Sequence, residues 1–360
     1  MRKTLVYLAV LAVLAFGIYY FLFSNHGNSY DPAEANFVVS DTASVGKIFI
    51  ANSNGTTVLV ERVKGGWMVN KKDKALPSMV NLILSTLTKQ QTLYPVTQSA
   101  YNNAIKVLST EGIKVELYDR QGAKIKVFYV GGTSANQNGT NMLMDGAKMP
   151  YVIQVPGFNG YLTSRYSTEL TDWKDRTVFD MPYEEIKSVS VQYADKPINS
   201  FMITRDNDNI SVSADTNISK HLDVQNSRRG TLYLKYFTNI NCEGYTNGIP
   251  GMDSVIKNSH KQSVIDITGI HGEHQRAEIY WMDINRRSKN LTVSDPDVPD
   301  DYDADRLYAV INGGKDTVMI QQFVFRKIFR KSFQFFQKDD TTRIPQSDAL
   351  PKNVMIHKDH

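Results

Sequence analysis

Cysteine is nearly missing from this 360-residue chain, which has one, Cys242. That excludes an intrachain disulfide framework and any cysteine-rich zinc site. So low a content suits a protein exported by a bacterium. An excess of charge of one sign is missing too: 41 Lys and Arg face 37 Asp and Glu, a net of +4. A nucleic-acid surface needs cations gathered on one face, so no nucleic-acid partner is expected. There is no Walker sequence, no Gly-x-Ser-x-Gly elbow and no glycine-rich phosphate loop. "GGTSANQNGTN" follows a strand pattern without opening a helix and reads as a hairpin loop. Nothing here is a reason to propose an enzyme, and no catalytic, cofactor-binding or metal residue is assigned.

What is present is enough apolar residue (41%) to bury real cores, over a length that suits two domains. Arg2 and Lys3 precede an uncharged run of 19 residues, Leu5 to Phe23. A hydrocarbon core of ~30 Å needs about 20 residues of helix. A cleaved signal peptide would have a shorter apolar run ending in a small-residue site. The only such site, Ala15-Phe16-Gly17, lies mid-run, and Tyr19 and Tyr20 fit an interfacial aromatic belt. The segment is therefore read as an uncleaved anchor. Residues 1–4 would be cytoplasmic, 5–23 would span the inner membrane, and the C-terminal bulk would lie in the periplasm. Residues 24–35 read as a polar tether and 339–360 as a disordered tail.

Between them the chain repeats itself. "MLMDGAKMPYVIQV" and "AVINGGKDTVMIQQ" share an apolar–Asn/Asp–Gly–small–Lys pattern. Earlier matches are Val45–Ile50 with Ile186–Val191, Val58–Arg62 with Phe201–Arg205, and Trp67–Asn70 with Ile210–Ser213. "YNN" at Tyr101 is matched to "YTN" at Tyr245, and two strands flank Gly122 as they do Gly272. The offsets are 141, 143, 143, 144, 150 and 167 residues, never falling. An ordered series of this kind predicts two tandem, duplicated α+β modules, 36–181 and 182–338, each an antiparallel sheet with packed helices. The helix of the first would bury Met79, Val80, Ile83, Leu84 and Leu87. That of the second would bury Leu232, Tyr236, Phe237 and Ile240, with Asp223 as N-cap.

The motifs "DTASVGKIFIANSNGTTVLVERVKGGWMVN", "VGG", "MDGAKMPYVIQV", "LTDWKDRTVFDMPYEEIKSVSV" and "LYAVINGGKDTVMIQQFVF" resemble the bacterial domain-of-unknown-function family numbered 4340, in its membrane-anchored Bacteroidetes form. The likeness covers roughly residues 36–336. It carries over no catalytic residue. It implies, as partners, ABC-type transporter components of the kind implicated in gliding motility. The function expected is that of a non-enzymatic accessory or scaffold subunit of an envelope or transporter complex. The alternative is a ligand-binding module using a cleft between the two repeats.

Several stretches invite chemistry. Asp301, Asp303 and Asp305 open like an EF-hand loop, but Arg306 and Asn312 stand where the loop needs Gly and Glu; a solvated acidic loop is expected. His271 and His274 flank Glu273 in a predicted hairpin turn, three apart rather than the four a helical zinc site needs. Cys242 reads as a small apolar filler rather than a nucleophile. Trp173, Asp175 and Arg176 are candidate inter-module contacts, although the favoured reading of Trp173 is a packed residue pinning the linker, with the charges around it solvated. From Phe323 to Lys338 a helical stripe of Phe325, Ile328, Phe329, Phe333 and Phe336 adjoins Arg326, Lys327, Arg330 and Lys331. That stripe suits the last helix of a core, and the four cations are candidate membrane or partner contacts.

Overall fold

A computed structural model describes residues 30–207, 209–214, 227–291 and 298–336. The expected membrane span and tail, and Asp223, lie outside the described residues. Among the described residues no helix is long and apolar enough to cross a membrane. The chain divides into two compact units between Asp175 and Arg176. Each is built mainly of antiparallel sheet, as alternating apolar residues require.

The first unit contains β1 (Val45–Ala51), β2 (Thr57–Val63), β3 (Gly66–Val69), β4 (Asp73–Lys74), α1 (Pro77–Lys89), β5 (Gln91–Pro95), α2 (Gln98–Thr110), β6 (Ile113–Asp119), β7 (Lys124–Thr133), β8 (Thr140–Met144), β9 (Tyr151–Gln154) and α3 (Leu170–Trp173). Its strands run β4-β3-β2-β1-β6-β7-β8-β9-β5. Pro77 opens α1, where its missing N–H costs nothing. Val80, Ile83 and Leu87 then fall one turn apart and are buried, with Met79 and Leu84 partly buried beside them. Gln90 ends the helix fully buried, accepting from the Tyr166 hydroxyl at 2.8 Å and donating to the Phe37 carbonyl. Ala35 already belongs to this core, and Asp31 N donates to the Tyr151 hydroxyl. The chain is therefore packed before the point where the polar tether was expected to end.

The second unit contains β10 (Thr177–Phe179), β11 (Ile186–Tyr193), β12 (Phe201–Asp206), β13 (Asn209–Ala214), α4 (Ser227–Leu234), β14 (Ile240–Asn241), β15 (Gly244–Tyr245), α5 (Met252–Asn258), β16 (Lys261–Gly269), β17 (His274–Asp283), β18 (Tyr302–Ile311), β19 (Asp316–Gln321) and α6 (Gln322–Phe325). Its main sheet runs β13-β12-β11-β16-β17-β18-β19-β15. β10 pairs with β14, and Val178, Phe179 and Met181 lie in the second core. The unit thus begins before the expected boundary at Met181.

Strand pairs correspond between the units residue by residue. Ile48 faces Leu117 as Val189 faces Ile267, and Val60 faces Val69 as Ile203 faces Val212. Met142 faces Tyr151 as Ala309 faces Val318. Even the irregularity is shared: one extra residue, Gly46 or Lys187, bulges at the start of β1 and of β11. The carbonyl just before each bulge accepts from an arginine Nε. Arg62 reaches Val45 at 3.0 Å, and Arg205 reaches Ile186 at 2.8 Å. Each guanidinium also lies over an aromatic ring, Trp67 in one unit and Tyr183 in the other.

Three expectations need correction. Tyr101 lies in α2, whereas Tyr245 lies in β15. The strand that occupies β15's place at the sheet edge is β5, so "YNN" and "YTN" match only as letters. In α4, Leu232 is exposed, and the buried residues are Gly230, Tyr233 and Leu234, continued by Phe237. Gly230 is needed there because a Cβ would sit 2.6 Å from Ile210 Cγ2. Ile240 is buried but in β14.

Residues 323–336 of the expected 323–338 stripe do not form one helix. α6 stops at Phe325, and a short 3-10 turn, Ser332–Phe335, follows. The reason is tertiary. Carbonyls that a helix would use internally accept instead from core tyrosines, Ile328 O from Tyr233 and Arg330 O from Tyr193, each at 2.9 Å. Phe325, Ile328 and Phe336 are buried as the stripe predicts, but Phe333 is exposed and Phe335 takes its place.

Candidate functional site

The acidic stretch resolves into an ion pair. The Asp303 carboxylate is fully buried and accepts from Arg287 Nη2 at 2.8 and 3.0 Å, from Asn285 Nδ2 at 3.1 Å, and from the Asp305 and Arg306 backbone N–H groups. Burial alone would raise its pKa. The Asp305 amide, the Ser288 hydroxyl and Arg287 outweigh that and hold it below the usual carboxylate range. Asp301 and Asp305 are exposed, Asp305 pairing with Arg287 at 2.9 Å. Arg287 thus pairs with two of the three carboxylates, Asp303 and Asp305. Gly272, at φ 91°, turns the β16–β17 hairpin, and His274 pairs with Asp266 at 3.2 Å. Among the described residues no three His, Cys, Asp or Glu converge to hold a metal. Cys242 is buried in the second core.

Trp173 is fully buried in the first core, its Nε1 donating to the Ser167 carbonyl at 2.9 Å. It presents no surface to a ligand. Asp175 N donates to Lys74 O at 2.9 Å in the first unit, while Arg176 O accepts from Cys242 N at 2.8 Å in the second. The three residues are therefore placed by the backbone pairing of their own units.

Among the described residues the carboxylates with displaced pKa values, Glu116, Glu278 and Asp303, move down, which is the wrong direction for a general acid. Glu278 falls to about 2, chiefly because Lys261 donates to it, against burial and with help from Tyr280 and Arg276. Glu116 is lowered by Lys114 and Tyr118. Burial pushes the phenols of Tyr166 and Tyr233 up, keeping them neutral donors.

One place in the second unit is built differently. A cavity of about 130 Å³ opens between the β11 end, β17 and the segment after β19. Trp281 from β17, Gln322 from α6, and Phe329 line it, with Val298 and Pro299 from the inserted loop. Lys196, Arg326 and Lys331 supply cations, and Asp195 is the one lining carboxylate, bonded to His260 Nε2. Trp281 is 5% exposed and stacks on Tyr302 with planes 13° apart. Its indole N–H and the Gln322 Nε2 are both buried without a hydrogen-bond partner among the described residues. Each unmet donor of this kind costs about 1–3 kcal/mol, and two residues lining one cavity carry such donors. A larger hollow of about 440 Å³ beside Asn247–Asp253 contains neither unmet donor.

Of the four cations singled out in the sequence, Arg326 and Lys331 line this cavity, whereas Lys327 and Arg330 do not. Trp281, Gln322 and Tyr193 escaped notice because they come together only in space. The one available signal was Trp281 itself, next to Tyr280 in the strand His274–Asp283. Comparison with protein-family models, with curated proteins and with solved structures finds no match to this chain.

Proposed function

We propose that this is a non-catalytic, membrane-anchored recognition protein, an accessory subunit of an envelope or transporter complex. In this reading residues 5–23 anchor the chain in a bacterial inner membrane, and two duplicated α+β units are displayed on its periplasmic side. The partner expected from the motif likeness to the family numbered 4340 is an ABC-type or gliding-related membrane complex. Tethering raises the local concentration of the units for such a neighbour. The cavity carries the reading: two buried donors without partners, rimmed by cations and apolar walls, suit recognition rather than turnover. Binding by a ligand held on Trp173 is set aside because that side chain is fully buried.

The test is cross-linking in intact cells of the source bacterium, with the full chain recovered through a C-terminal tag. Transporter subunits should be recovered reproducibly with the wild type and lost with the double variant Trp281→Phe, Arg326→Gln. Recovery of the chain alone, or equal recovery with the variant, would overturn the reading.

A further inference from the structure

We infer that the Trp281–Gln322 cavity is a carboxylate site, taking a carboxylate carried on a compact apolar or aromatic stem. The inference rests on the recognition reading above and names its ligand chemistry. An indole N–H donates and does not accept, as do ammonium and guanidinium groups, and a Gln Nε2 only donates. A carboxylate only accepts, with two oxygens and about four lone-pair directions. Trp281 and Gln322 hold the two unmet donors, and Arg326 and Lys196 line the same space with charge. The single negative group, Asp195, is already bonded by His260. A neutral amide offers one uncharged accepting oxygen and sets its N–H groups against the remaining donors, and a cation would meet like charge.

Size and wall chemistry narrow the class further. The cavity holds about 130 Å³, close to the ~150 Å³ that accommodates one benzene ring in an apolar protein interior. Val298, Pro299, Phe329 and the Trp281 face supply apolar wall. An anion with no carbon stem, such as phosphate, would leave that wall unused. The Tyr193 hydroxyl, donating to the Arg330 carbonyl at 2.9 Å, ties down the backbone between Arg326 and Lys331. The cationic side is thus held in place before a ligand arrives.

The test uses the full-length chain in detergent micelles and two probes of equal shape, 4-fluorobenzoate and 4-fluorobenzamide, followed by fluorine NMR. The benzoate should bind at least about tenfold more tightly than the amide, a difference of about 1.4 kcal/mol. Trp281→Phe, which keeps an aromatic face on a smaller ring and removes the N–H, should weaken benzoate about fivefold, and Arg326→Gln about tenfold. Lys327→Gln, outside the lining, should change nothing. Equal affinity for both probes with loss in Trp281→Phe would overturn the carboxylate assignment while leaving a binding cavity. Displacement of benzoate by an equal concentration of inorganic phosphate would also overturn it. Binding of neither probe, or binding indifferent to both variants, would sink this inference and the recognition reading together.

Discussion

Replacing Asp303 by Asn tests whether the acidic stretch of the second unit is an ion pair or a metal loop. The carboxylate is 0% exposed, while the Arg287 side chain is 37% exposed. Removing one partner of a buried pair costs about 3–5 kcal/mol. Asp303→Asn leaves Arg287 paired only with the exposed Asp305, and that guanidinium reaches water, so the cost falls at the low end, about 3 kcal/mol. Arg287→Met does the opposite, stranding a buried carboxylate on two backbone amides and Asn285, and should cost more, about 4 kcal/mol. For a unit of this size each kcal/mol moves the melting temperature by about 2–4 °C, so Asp303→Asn should lower it by about 6–12 °C. Scanning calorimetry of the full chain measures this, the second unit's transition being identified as the one Phe128→Ala leaves alone. The pH dependence follows from the depressed pKa. The stabilisation is fully present above the unfolded value of about 3.9 and is lost as pH falls through the lower folded value. The gap between wild type and Asp303→Asn should therefore close below about pH 3.9. Millimolar calcium or its chelation should leave the wild-type transition where it is. A shift under about 2 °C for Asp303→Asn, or a rise with calcium, would refute the ion-pair account.

Further outcomes test the rest of the fold. Tyr233→Phe removes the buried donor to Ile328 O and should cost about 1–3 kcal/mol in urea denaturation; a neutral result would mean that tyrosine does not divert the segment after α6 from helix. Gly272→Ala, at φ 91°, should cost about 1–2 kcal/mol despite open space around it, and unchanged stability would show the turn relaxing. Arg62→Met should speed amide hydrogen exchange at β1 only, and Arg205→Met at β11 only, whereas exchange rising in neither strand would remove the arginines' role at the bulges. Glu278→Gln should lower stability by no more than about 1 kcal/mol at neutral pH, because the cluster is partly exposed. That loss should vanish as pH falls from about 4.3 towards 2, and a loss that grows in acid would contradict the sign.

Alternating strands and glycine turns made much of this architecture legible. β1, β2, β3, β6 and β7 and their counterparts fall where the alternation placed them, with Gly122 and Gly272 at φ 90° and 91°. Letter matching failed where no periodicity backed it: Tyr101 and Tyr245 sit in different kinds of element. Helical spacing after Phe323 failed for another reason. Burial of Phe325 and Ile328 is compatible with several backbones, and the hydroxyls of Tyr193 and Tyr233, far away in sequence, decide among them. The cavity was half legible. Arg326 and Lys331 stood out as charges, but Trp281 and Gln322 acquire meaning only from their unmet N–H groups, which depend on what packs around them.

The shared bulge, each held by its own arginine, has a consequence for how such a chain acquires specificity. With register locked at the start of β1 and β11, the connections elsewhere are free to lengthen without shifting a single strand pair. The first unit joins β7 to β8 through a short loop, whereas the second joins β17 to β18 through residues 284–301, and Val298 and Pro299 of that excursion wall the cavity. The cavity wall is thus an addition to a frame that the two units share. One unit can keep the plain sheet while the other gains a hollow on the same strand order.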